Sequence, residues 1–178
     1  QQYDGFSTFN KVDSSNWTVT GTGAQDWNVL GGTLTVNGAI AGLVAVNTGG
    51  TLAGTGAVGD TTVSSGGALA PGNGTAGSSL TVANLAFQSG ALYLVTLSST
   101  TSTFASVTGN AALNGTVVAS FLPGSTVLPQ YRIIEVGSST GNFSGVDAPG
   151  GLVGTVSFGA NAVFLNFALD WASKYNLN

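Results

Sequence analysis

The sequence predicts an all-β solenoid, a right-handed parallel β-helix, and three observations carry that prediction. The first is a recurring phrase: Gly31-Gly32-Thr33-Leu34, Gly49-Gly50-Thr51-Leu52, Gly66-Gly67-Ala68-Leu69 and, more loosely, Ser89-Gly90-Ala91-Leu92. Leu34 to Leu52 is 18 residues, Leu52 to Leu69 is 17, and Leu69 to Leu92 is 23. A repeat of this size marks stacked coils rather than a closed globule. The second is that helical periodicity is almost missing, whereas β-formers recur at period two. The third is composition. With 43% hydrophobic residues there is apolar surface enough for a core, yet only 6% of the 178 residues are charged, against about 25% in ordinary domains. Ser, Thr, Asn and the backbone must therefore keep the surface wet. The 28 glycines fall at strand ends, where turns need positive φ.

Along the chain the expected strands are Trp17-Thr18-Val19-Thr20, Trp27-Asn28-Val29, Thr33-Leu34-Thr35-Val36, Leu43-Val44-Ala45-Val46, Thr61-Thr62-Val63, Leu80-Thr81-Val82, Leu92-Tyr93-Leu94-Val95-Thr96-Leu97 and Thr116-Val117-Val118-Ala119. Alternation sends Val and Leu to one face and Thr or Ser to the other. Most of these runs are too short to stand alone. Stacked at about 4.8 Å, each pairs above and below, and the inward side chains form one narrow core. Residues 1–123 are assigned to these coils.

From Gly124 the texture changes. Tyr131-Arg132-Ile133-Ile134-Glu135-Val136 is a longer strand, and residues 137–145 are rich in turns. The runs 152–158 and 162–169, joined by Gly159-Ala160-Asn161, read as an antiparallel hairpin. A solenoid needs a cap where its last coil exposes strand edges and core, and residues 124–169 are assigned to that role. Residues 170–178 read as the start of a linker. Within them Asp170-Trp171-Ala172-Ser173-Lys174-Tyr175 is the helix candidate, with Asp170 as N-cap and four residues before Lys174. The competing reading is a disordered end, since six residues rarely hold a helix unaided.

Chemistry-bearing residues are few. The chain has no His and no Cys, which excludes serine and cysteine triads, disulfides and thiolate or imidazole metal sites on it. Its acids are Asp4, Asp13, Asp26, Asp60, Glu135, Asp147 and Asp170. Asp4 and Asp26 are 22 residues apart and Asp147 and Asp170 are 23 apart, so either pair would share a face if its spacing matched one coil. Paired carboxylates would suit polysaccharide cleavage, but solvated turn acids are the favoured reading. Arg132 lies near Glu135 in an apolar strand and reads as a structural pair or a snorkelling side chain, not a base. Two matches to G-x-G-x-x-G, at residues 54–59 and 72–77, open no helix and are rejected as nucleotide loops. Four glycosylation sequons, at Asn16, Asn73, Asn114 and Asn142, are unsurprising in so Thr- and Asn-rich a chain. The aromatics read as core filling and end capping before they read as a sugar-binding stripe. No catalytic, cofactor-binding or metal-ligating residue is assigned. A net charge of −4 without a basic patch argues against nucleic acid. No apolar run approaches the roughly 18 residues of a membrane helix.

Several phrases resemble the passenger repeats of bacterial autotransporters. They run from Phe9-Asn10-Lys11 and Trp17-Thr18-Val19-Thr20-Gly21 through Trp27-Asn28-Val29, Gly32-Thr33-Leu34-Thr35-Val36-Asn37-Gly38 and Gly50-Thr51-Leu52-Ala53-Gly54-Thr55-Gly56. They continue in Gly67-Ala68-Leu69-Ala70-Pro71-Gly72-Asn73-Gly74, the most specific phrase, then Gly77-Ser78-Ser79-Leu80-Thr81-Val82 and Ser89-Gly90-Ala91-Leu92-Tyr93. The segment around residues 131–136 with Gly141-Asn142-Phe143 is similar to the C-terminal, autochaperone part of such passengers. Together these cover residues 6–170.

The resemblance implies a type V secretion passenger stem on the cell surface or secreted, outside a Gram-negative outer membrane. Its partners would be its own outer-membrane β-barrel and upstream passenger coils. In that family the C-terminal region emerges first and is thought to template the coils that follow. The expected function is therefore a non-enzymatic stem that nucleates folding, assists secretion and displays an upstream effector. The alternatives are an adhesin or self-association β-helix binding cell-surface or glycan ligands, and a polysaccharide-processing enzyme. The start at Gln1-Gln2-Tyr3 reads as an excised or mature piece. If Gln1 is a truncation point, the open first coil is an expected self-association edge.

Overall fold

A computed structural model describes residues 5–170 of the chain. Within them are twenty β-strands and no helix. The chain winds as a parallel β-helix, each coil contributing one strand to each of three faces. The first coil holds β1 (Thr8–Lys11), β2 (Asn16–Val19) and β3 (Thr22–Gly23), and the second β4 (Asp26–Val29), β5 (Gly32–Val36) and β6 (Ala39–Ile40). The third is β7 (Val44–Val46), β8 (Gly50–Gly54) and β9 (Ala57–Val58), and the fourth β10 (Thr61–Val63), β11 (Ala68–Pro71) and β12 (Ser79–Val82). Then come β13 (Leu85–Phe87), β14 (Leu92–Leu97), β15 (Phe104–Leu113), β16 (Thr116–Phe121), β17 (Gln130–Gly141) and β18 (Gly145–Asp147).

One face is the parallel stack β2-β5-β8-β11-β14-β16-β18. The other two are β1-β4-β7-β10-β13 and β3-β6-β9-β12. They join because β15 turns the corner: its first half pairs with β12 and its second with β13, with a register shift between Val107 and Asn110 in its pairing with β17. The core is a set of stacked inward rows. The clearest row runs Trp17, Leu34, Leu52, Leu69, Tyr93, Val117 and Val146. Leu34, Leu52 and Leu69 are fully buried, each worth about 1.5–3 kcal/mol relative to exposure. The fourth member of the sequence repeat falls out of the row. Leu92 stands on Ala68 and faces outward, while Tyr93 continues the leucine row. One residue of slip sends a side chain to the opposite face, and the loop 72–78 lengthens this coil.

Corners are set by close approach. A Cβ on Gly56 would lie 2.1 Å from the Gly38 carbonyl oxygen, and one on Gly38 would lie 2.1 Å from that of Gly21. Only glycine lets these corners stack. Polar corner residues tie successive coils together. The Leu43 N–H donates to Asp26 Oδ1 at 2.8 Å, the Thr55 N–H to Asn37 Oδ1 at 3.2 Å, and the Asn110 N–H to Asn84 Oδ1 at 2.9 Å.

The parallel coils run on past residue 123, since β17 stacks on β15 and β18 on β16. The direction changes at the expected hairpin, β19 (Leu152–Phe158) and β20 (Ala162–Leu169). β20 pairs antiparallel with the first half of β17, and β19 with β20. Of the helix candidate at residues 170–175, Asp170 is in irregular structure, and residues 171–175 lie outside the described residues.

Candidate functional site: the two ends of the stack

Among the described residues the carboxylates do not gather on one lateral face. Asp26 is in register with Thr8; Asp4 lies outside the described residues. Asp26 and Asp60 serve corners, the latter accepting from Asn84 Nδ2 at 2.7 Å. Asp147 ends β18, whereas Asp170 follows β20 and donates its N–H to the Gly151 carbonyl. Among the described residues no three acids gather as a metal-binding group would require. Arg132 forms an ion pair with Glu135 on the exposed side of β17, and its guanidinium sits 4.6 Å from the Phe104 ring centroid. The stretch 54–59 spans the corner between β8 and β9, and 72–77 forms a loop.

The distinctive chemistry lies at the ends. At the C-terminal end Tyr93 is fully buried. Its hydroxyl donates to the Ile133 carbonyl at 2.5 Å and accepts the Ala105 N–H at 3.0 Å. One phenol thereby joins β14, β15 and β17. Burial pushes its pKa upward, against a smaller lowering by the Ala105 bond. Its ring stacks on Phe143 at 5.8 Å, and Phe87 meets it edge-on at 5.3 Å.

A second aromatic trio, Phe121, Tyr131 and Phe167, has centroids 5.5–6.2 Å apart and binds the hairpin to the last coils. The Tyr131 hydroxyl accepts the Leu128 N–H at 2.8 Å and donates to the Ser98 carbonyl at 2.9 Å. Gly154 of β19 passes so close over β18 that a Cβ there would lie 2.3 Å from Val146 Cγ1. The hairpin therefore lies across the end of the last coil.

The N-terminal end is built differently. Here β1, β2 and β3 each have one strand partner among the described residues. Between them opens a concavity of about 920 Å³, with Ile40 at its floor and Phe9, Trp17, Val19, Trp27 and Gln25 among its walls. It exists because Gly23 occupies the inward position that Ile40 and Val58 fill in the next two coils. Lys11 holds the turn between β1 and β2. Its side chain is fully buried, and its ammonium donates to the carbonyls of Val12, Asp13 and Gly31 at 2.8–3.0 Å. The Asp13 carboxylate stands 3.7 Å away and the Trp17 ring centroid 5.6 Å away. Asp13 is itself held below the ordinary carboxylate range, first by the Ser15 hydroxyl, then by the Ser15 N–H, with Lys11 adding to the effect.

Sequence reasoning foresaw neither Lys11 nor Tyr93 as a keystone. Lys11 stands in the inward row of Val29, Val46 and Val63, and that row exists only once the coils are stacked. No protein-family model matches the chain, and no curated protein matches it.

Proposed function

We propose that this chain is a non-enzymatic stem from an autotransporter passenger, one that nucleates β-helix folding, assists secretion and carries an upstream effector. The observation that carries the reading is the asymmetry of the two ends. The C-terminal end is closed by a hairpin and cross-linked by Tyr93 and Tyr131. The N-terminal end presents three short strands, each with one strand partner among the described residues, around a partly apolar mouth. Each coil of a solenoid is stabilised chiefly by its neighbours, so folding that starts at a stable end propagates toward the open one. An upstream coil would find at β1–β3 both backbone partners and a hydrophobic floor.

The repeat phrases that resemble autotransporter passengers support the same polarity. In this reading the partners are upstream coils and the protein's own outer-membrane barrel, and the location is the cell surface or the medium. Deleting residues 124–169 from the full-length protein tests it. Surface display and protease resistance of the upstream passenger should collapse. Undiminished display and folding would overturn the proposal.

A further inference from the structure

We infer that β19 is a self-association edge, pairing antiparallel with β19 of a second copy across a two-fold axis at Thr155. At seven residues β19 is the longest strand with a single partner among the described residues. Its pairing with β20 consumes only alternate backbone groups. Asp170 N–H donates to Gly151 O and Gly159 N–H to Ala162 O, which in this register leaves Val153, Thr155 and Ser157 facing β20. The N–H and C=O groups of Leu152, Gly154, Val156 and Phe158 therefore point to the free edge. Such edges are normally guarded by a charge, a proline or a bulge. The stretch Leu152-Val153-Gly154-Thr155-Val156-Ser157-Phe158 has none of these. A row of amides without a partner among the described residues takes an extended strand, and this one is its own complement.

Rotation about Thr155 sets Leu152 against Phe158 of the second copy and Gly154 against Val156, so every free edge group meets a partner. Phe158, 47% exposed, gains an aliphatic neighbour. Gly154 must stay small because Val146 lies beneath it, and that leaves room for the opposing Val156. The opposite face brings Val153 to Ser157 and Thr155 to Thr155. No charge opposes another along the edge. The resulting sheet continues β17-β20-β19 without a break. The inference is independent of the effector such a stem carries.

The chain lacks cysteine, so a single introduced thiol reports the geometry. Thr155 would form a non-hydrogen-bonded antiparallel pair, with Cα atoms about 4.5 Å apart, within disulfide range. In the full chain, sedimentation across a concentration series should show monomer passing to dimer. Thr155→Cys should oxidise to a covalent dimer on the order of tenfold or more faster than Thr75→Cys on the exposed loop, because pairing raises the local thiol concentration. Thr155→Lys should leave thermal stability unchanged and abolish the dimer by placing like charges face to face. A monomer at every concentration overturns the inference. So does a dimer that Thr155→Cys fails to trap, which would place the contact on another surface. Exchange protection of the Leu152, Gly154, Val156 and Phe158 amides in the monomer would assign the edge to the chain itself and overturn it too.

Discussion

Tyr93 shows how one side chain ties distant segments together. Its hydroxyl serves a carbonyl 40 residues ahead and an N–H 12 residues ahead. Tyr93→Phe keeps the ring and the aromatic stack but strands both backbone groups. Leaving buried partners unsatisfied costs about 1–3 kcal/mol, which urea unfolding should read as a lower midpoint at unchanged slope. The same residue sets an alkaline limit. Because burial raises the phenol pKa in the folded state, the unfolded chain loses its proton first. Stability is thus complete below the unfolded value, about 10, and falls as pH rises above it. The variant should flatten that alkaline decline. Lys11 is the matching case at the other end: its three carbonyl contacts hold the turn between β1 and β2. Neither role was legible in the sequence, because both depend on which coils the stack brings into register.

Elements divide into those that own their pattern and those that borrow it from neighbours. The hairpin at Leu152–Phe158 and Ala162–Leu169 was legible to the residue, since two β-rich runs flank a three-residue turn. Strands β5, β7 and β14 were legible from their alternation. The two-residue strands β3, β6 and β9 were not, because nothing that short has a period; they exist only as rungs between coils. β15 was missed for a different reason. Its Gly109-Asn110 reads as a turn, yet in the structure it is where one continuous strand bends from one face to the next. The Leu92 step failed because the repeat phrase was matched by residue type, whereas the core row is fixed by facing, and Tyr93 holds it. Corner glycines give a sharp test at this scale. Gly56→Ala would force a Cβ against the Gly38 carbonyl, while Gly137→Ala meets nothing within 4 Å and needs no positive φ. The first should lower stability by about 1–3 kcal/mol and the second should be neutral, both read by thermal melts.

At the scale of the whole molecule the two ends of the stack differ. A stack of coils has nearest-neighbour stability, so its ends decide where it opens. Among the described residues the first coil has short strands and an open, partly apolar mouth that nothing lies across. The last coils have longer strands, two aromatic trios and a hairpin laid across the end. In the proposed stem, chemistry and display would belong to what it carries, and the stack would contribute an ordered direction of folding. Native-state hydrogen exchange, resolved by residue, measures that direction. The account predicts that amides of β14, β16, β17 and β20 exchange only through global unfolding, while protection falls stepwise from β7 through β4 to β1. Equal protection at both ends, or a C-terminal hairpin that opens before the first coil, would contradict it.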